Sequence, residues 1–176
     1  MNTRMGLVAF AMAVGPAALV GCQDAAQFRS PADQAAAVER TRCTADFTEA
    51  AVARVLDGSA VERVDPIYIG TTSKSSNPRL RGAAILVRPV NGQTAEWLDR
   101  ALECHGAQQL VVHAGGSDTS ADPFWLPGAL VQIDVTSARD GFRIEVTGDS
   151  TADAQAILAR AQALSSLRSD RQAAQL

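Results

Sequence analysis

Residues 129–147 constrain the fold more than any other stretch. Ala129, Val131, Ile133 and Val135 share one parity, while Gln132 and Asp134 hold the other. Asp140-Gly141 then supplies turn chemistry, and Phe142, Ile144 and Val146 alternate with Arg143, Glu145 and Thr147. A two-stranded ribbon with one apolar face is marginal alone and needs helices over that face. The gap between the two runs is longer than a tight turn, which predicts a bulged or four-to-five-residue connection.

The rest of the chain supplies those helices. Ser30-Pro31-Ala32-Asp33 combines a cap, a proline at the first helical position and a capping-box acid. Helical sequence follows over 31–57, with a break near Thr44, where Asp46 and Glu49 set a second cap pattern. Phe47, Ala51 and Val55 form its stripe and Gly58 stops it. Residues 61–69 predict an edge strand, because Pro66 has no donor. Residues 70–79 read as a polar loop and 82–90 as a second strand. Asn91-Gly92 is a turn signal. Thr94 caps a helix over 95–109, whose apolar spacing is carried by Trp97, Leu98, Ala101, Leu102 and His105. Residues 110–114 read as a short strand and 115–128 as a loop. Ser150 and Asp153 open a last helix that buries Ala154, Ile157, Leu158, Ala161 and Leu164 and ends near Arg168. The expected fold is α+β, a two-layer sandwich with an antiparallel sheet covered by helices. The order β–α–β–β–α over 82–168 is ferredoxin-like in part. Residues 31–169 are expected to form one domain, with 170–176 a frayed tail.

Charge narrows the partners. The 176 residues carry a formal net charge of −3, and Lys74 is the sole lysine. No basic block exists to meet nucleic acid. Hydrophobic residues make up 47% and charged residues 20%, which argues against global disorder. No Walker, Rossmann, HExxH or EF-hand pattern occurs, so no cofactor is expected.

The beginning of the chain reads as a sorting signal. Arg4 precedes an uncharged run over 6–20, shorter than the about 20 residues that cross a bilayer comfortably. The run ends in Leu19-Val20-Gly21-Cys22, which resembles the lipobox of bacterial lipoproteins. The resemblance implies a diacylglyceryl group on the Cys22 thiol, cleavage that removes 1–21, and later acylation of the new amine. Residues 22–30 then form a lipidated tether, since several acyl chains are needed for stable anchoring. Implied partners are the membrane, the lipoprotein processing and sorting machinery, and an unknown envelope protein. Gln23, rather than an aspartate, follows the cysteine, and Asp24 comes one place later. The expected address is the periplasmic face of a Gram-negative outer membrane, with the inner membrane as the alternative.

Candidate chemistry is sparse. Cys43 and Cys104 remain as thiols in an oxidising compartment, which invites a disulfide; a buried free thiol at Cys104 is the other reading. Cys104, His105 and His113 offer donors for a soft metal, though adjacent helical positions diverge by about 100°. His113, Ser117 and Asp118 hold the atoms of a hydrolase triad without the frame that positions a nucleophile. Asp118 and Asp122 read as solvated loop carboxylates. Phe124, Trp125 and Leu126 stand between two prolines and must plug the core or meet a partner, and with Trp97 they form a candidate interaction surface. The reading favoured is a non-enzymatic structural or interaction module. The alternatives are a binder of a soft metal or small ligand, and a hydrolase.

Residues 81–167 also resemble an uncharacterised group of bacterial envelope proteins. The phrases are Arg81-Gly82-Ala83, Gly92-x-Thr94-Ala95-Glu96-Trp97-Leu98, Cys104-His105, Gly141-Phe142 and Ala156-Ile157-Leu158-x-Arg160-Ala161. That group has a further cysteine in a Cys-Pro phrase after the Cys-His pair. This chain has Phe124-Trp125-Leu126-Pro127 there, which leaves Cys43 as the partner for Cys104. The resemblance implies a compact envelope domain and no particular activity.

Overall fold

A computed structural model describes residues 30–43, 49–70, 77–89, 92–113 and 121–173. Helix α1 (Pro31–Arg42) and helix α2 (Glu49–Leu56) come first, followed by strands β1 (Val61–Ile69) and β2 (Arg79–Val87). Helix α3 (Ala95–Val112), strands β3 (Gln132–Ala138) and β4 (Gly141–Thr147), and helix α4 (Thr151–Ala173) complete the order. The helix starts are those their residue types dictate. The Ser30 hydroxyl accepts from the Asp33 N–H while the Asp33 carboxylate reaches back to the Ser30 N–H, and Ser150 and Asp153 repeat this reciprocal pair. The Thr94 hydroxyl accepts from the Trp97 N–H.

The strands form one four-stranded antiparallel sheet in the order β1-β2-β4-β3. β2 and β3 run parallel to each other with β4 between them, so β2–α3–β3–β4 is a split β–α–β unit. With α4 added, this is the ferredoxin-like part of the fold, and β1 fills the edge beside β2. Register decides which side is apolar. Ala83, Ile85 and Val87 lie opposite Val146, Ile144 and Phe142, and Ile133 and Val135 lie opposite Val146 and Ile144. Cross-strand partners share a face, so all of these enter one core. Leu98 and Leu102 of α3 and Ile157, Ala161 and Leu164 of α4 close over it. A fully buried side chain of this size contributes about 1.5–3 kcal/mol. The opposite face is open and charged: Arg63 pairs with Asp65 and Arg143 with Glu145, each at 2.7 Å. α1 packs on α3 rather than on the sheet, through a small second core of Ala35, Ala107 and Leu110.

Several expectations are corrected. Residues 110–112 are not a strand: α3 continues to Val112, because Leu110 is held in the α1 contact, and His113 caps the helix end. The apolar run Leu110-Val111-Val112 resembled a strand, while packing selected the helix. β2 occupies 79–87 rather than 82–90, since Leu80 and Arg79 join the ladder opposite Tyr68 and Ile69. β3 begins at Gln132; Ala129 pairs with Leu126 in an isolated bridge. The β3–β4 connection is tight, because Ala138 pairs directly with Gly141 across Arg139-Asp140. A Cβ at Gly141 would lie 2.0 Å from the Val87 carbonyl oxygen, so glycine is what lets this turn sit against the end of β2. α4 reaches Ala173 instead of stopping near Arg168. The helical stretch over 31–57 is interrupted where a break near Thr44 is expected: α1 ends at Arg42 with Cys43 extended and α2 starts at Glu49, while Thr44 itself lies outside the described residues.

Candidate functional site

Two neighbouring features stand out, a buried polar clasp and a groove beside it. The clasp forms around residues 122–126. Asp122 is 8% exposed, contrary to its expected place as a solvated loop carboxylate. Its Oδ1 accepts the Phe124 N–H at 2.8 Å, the local turn chemistry of an aspartate two residues before an amide. Its Oδ2 lies 2.6 Å from His105 Nε2 on α3. From α4, Arg160 Nη1 donates to the carbonyls of Asp122 at 3.0 Å and Trp125 at 2.8 Å. The guanidinium also stands 5.9 Å from the Trp125 ring centre, and the His113 ring stacks on Trp125 at 5.2 Å. A carboxylate removed from water must be satisfied in this way or its burial is costly.

The clasp fixes the position of Phe124 and Trp125. Phe124 is fully buried and Trp125 is 4% exposed, so neither offers outer surface as an interaction patch would. Sequence could not distinguish a plug from a patch, because both are runs of apolar residues between prolines. Trp97 is half-buried and packs against the main core from α3. Gly106 makes the plug possible. A Cβ there would lie 2.4 Å from the Phe124 carbonyl oxygen, so only a bare helix face admits the loop this close.

The groove lies between α1 and the loop leading into β3, with a volume of about 510 Å³. Val38, Ala107 and Leu110 give it an apolar lining, and Gly106, Phe124 and Trp125 contribute from the clasp side. Residues 128–133 form the opposite wall, while Gln34, Gln132 and Asp149 stand exposed at the rim. The wall made by α1 is covalently fixed: Cys43 and Cys104 form a disulfide with a Cα–Cα distance of 5.1 Å. Beside it, Arg42 Nε lies 3.1 Å from Glu103 Oε2, an oxygen that is itself buried and receives no hydrogen bond. Burial raises the Glu103 carboxyl above its ordinary pKa; Asp99 one turn earlier adds to the rise and Arg42 opposes it. Asp99 is raised too, chiefly by burial, although its Oδ1 accepts the Val135 N–H at 3.1 Å.

The disulfide overturns the soft-metal set. The Cys104 sulfur is bonded to Cys43 and cannot be a thiolate ligand, His105 is engaged with Asp122, and His113 lies against Trp125. Among the described residues no group of three or more His, Cys, Asp or Glu side chains could hold a metal ion. Of the candidate triad, Ser117 and Asp118 lie outside the described residues, as does the lipidation site Cys22. Among the described residues no helix is long and apolar enough to cross a membrane. Sequence assigns Arg160 no role, and of the groove lining it marks Phe124 and Trp125 as candidate surface but not the α1 and α3 residues that face them. The one local signal for the clasp is Asp122-Pro123, which marks a turn but not its burial.

No family model, curated protein or solved structure matches the chain. The resemblance over 81–167 therefore rests on its quoted phrases.

Proposed function

We propose that the protein is a lipid-anchored, non-enzymatic interaction module of the bacterial cell envelope, held by acyl chains on Cys22 at the periplasmic face of the outer membrane. The groove carries the interaction half of this reading. Its volume of about 510 Å³ falls within the range of binding sites, its floor is apolar and its rim polar. Leu19-Val20-Gly21-Cys22 supports the tether. α1 is the first described helix after that cysteine and forms one wall of the groove. The chain from Cys22 to Pro31 reaches at most about 30 Å, so the anchor would keep the groove near the membrane surface. A small-molecule ligand would use the same groove, and one experiment separates the two readings.

A photoreactive side chain is placed at Gln34 on the groove rim and, in a second variant, at Thr136 on the open face of the sheet. Both residues are exposed. Irradiation of intact cells should give a covalent adduct with a second envelope protein from position 34 and none from position 136. Equal adducts from both positions, or none from position 34, would contradict a groove-borne protein contact. Replacing Cys22 with serine should leave an uncleaved, unlipidated precursor, and unchanged acylation would remove the tether.

A further inference from the structure

The groove has an edge as well as a volume. β3 is the outer strand of the sheet, and no described strand lies beyond it. Two observations establish which of its backbone groups point outward. Ala138 and Gly141 flank a two-residue turn and so form a hydrogen-bonded pair, which by alternation makes Val135 and Ile133 non-hydrogen-bonded positions relative to β4. Independently, the Val135 N–H turns away from β4 to Asp99 Oδ1. The N–H and C=O of Ile133 therefore also point away from β4. α3 blocks the edge at Val135 with a side-chain cap, the usual protection of an exposed strand. Two residues earlier, where the chain lines the groove, no such cap is present among the described residues.

Charge gives the second constraint. Of the residues lining the groove, only Glu103 and Asp149 are ionisable, and both are acidic. Glu103 Oε2 is buried and ion-paired with Arg42 at 3.1 Å, while the Glu103 side chain as a whole keeps 24% exposure. Asp149 stands exposed at the rim, so the groove lining presents carboxylates and no basic group to a ligand. The walls are unlike each other, a helix on one side and a strand edge on the other, as in domains that bind peptides by adding a strand.

We propose that the groove receives an extended peptide segment of a partner protein by strand addition at Ile133, its apolar side chains against the partly exposed Val38 and Leu130 and its basic side chains towards Glu103 and Asp149. This rests on the interaction-module reading and narrows it. Main-chain bonds to the β3 edge provide the attachment, and the two carboxylates select for alternating apolar and basic residues.

The test uses the full-length protein in detergent solution and a dye-labelled Lys-Val-Lys-Val-Lys-Val peptide, followed by fluorescence anisotropy. Saturable binding is expected. Methylating alternate peptide nitrogens should abolish it, and the Glu-Val counterpart should bind at least about tenfold more weakly, because like charges oppose docking. Glu103→Gln and Asp149→Asn, which keep side-chain shape, should each weaken binding by up to about fivefold. The peptide should also slow hydrogen exchange at the Ile133 amide and leave the capped Val135 amide unchanged. Absence of saturable binding, retained binding by the methylated peptide, indifference to charge, or an unaltered Ile133 amide would each overturn strand addition. Adducts from position 34 combined with any of these results would keep the interaction module and discard this mode of docking.

Discussion

At the scale of single residues, Asp122 ties the 122–126 loop to α3 and, through its carbonyl, to α4. Both of its oxygens are used, one by the Phe124 amide and one by His105, and Arg160 holds the carbonyls on either side of the plug. Asp122→Ala would leave the Phe124 N–H and the His105 ring without their acceptor inside the fold. Urea unfolding should then show a loss of about 2–4 kcal/mol; an unshifted midpoint would mean the clasp adds nothing. Glu103 makes the opposite prediction. Burial holds its folded pKa above the ordinary carboxyl value, so between the two values the native state holds more protons than the unfolded state. Its contribution is therefore favourable at low pH and is lost as pH rises through the folded value. Glu103→Gln removes that loss. The difference in Tm between variant and parent should turn increasingly in favour of the variant as pH rises from about 4 to about 7. A difference independent of pH would place the cause elsewhere.

At the scale of elements, the most informative contact is between α3 and the loop it carries. Gly→Ala inside a helix ordinarily stabilises by about 1 kcal/mol. Gly106→Ala should reverse that sign and destabilise by about 1–3 kcal/mol, because the new methyl would enter the Phe124 carbonyl. Thermal melting decides it, and a raised Tm would show that the loop can retreat without cost. The same contact explains what sequence could and could not disclose. The β3–β4 hairpin, the three helix caps and the Cys43–Cys104 bridge were legible because alternation, cap chemistry and cysteine count are local or compositional signals. The clasp was not, since His105 and Arg160 lie 17 and 38 residues from Asp122 and nothing near any of them marks the meeting. Leu110-Val111-Val112 misled for a related reason. Its β-branched character suggested a strand, while the deciding contact is with Ala35 on another helix. Phe124 and Trp125 were visible as a constraint, but their burial depends on a bare glycine two turns before the end of α3.

At the scale of the whole molecule, the helices cover one face of the sheet and leave the other charged and open. α1 is the exception, a helix laid on a helix. Its own buried contribution is small: Ala35 is its buried residue and Val38 is partly buried against the same cluster. The bridge from Cys43 to Cys104 spans 61 residues of sequence, which by chain entropy contributes about 4 kcal/mol. That bridge holds in place the helix that gives the groove its second wall. Binding in the groove depends on this wall, since without α1 the β3 edge would adjoin an open surface. Amide hydrogen exchange across residues 31–42, measured before and after reduction by a phosphine, tests it most directly. In the oxidised protein these amides should be protected, and after reduction they should exchange at least about tenfold faster while those of β2 and β4 keep their protection. Free thiols at Cys43 and Cys104 in the isolated protein, or equal exchange in α1 before and after reduction, would contradict the account.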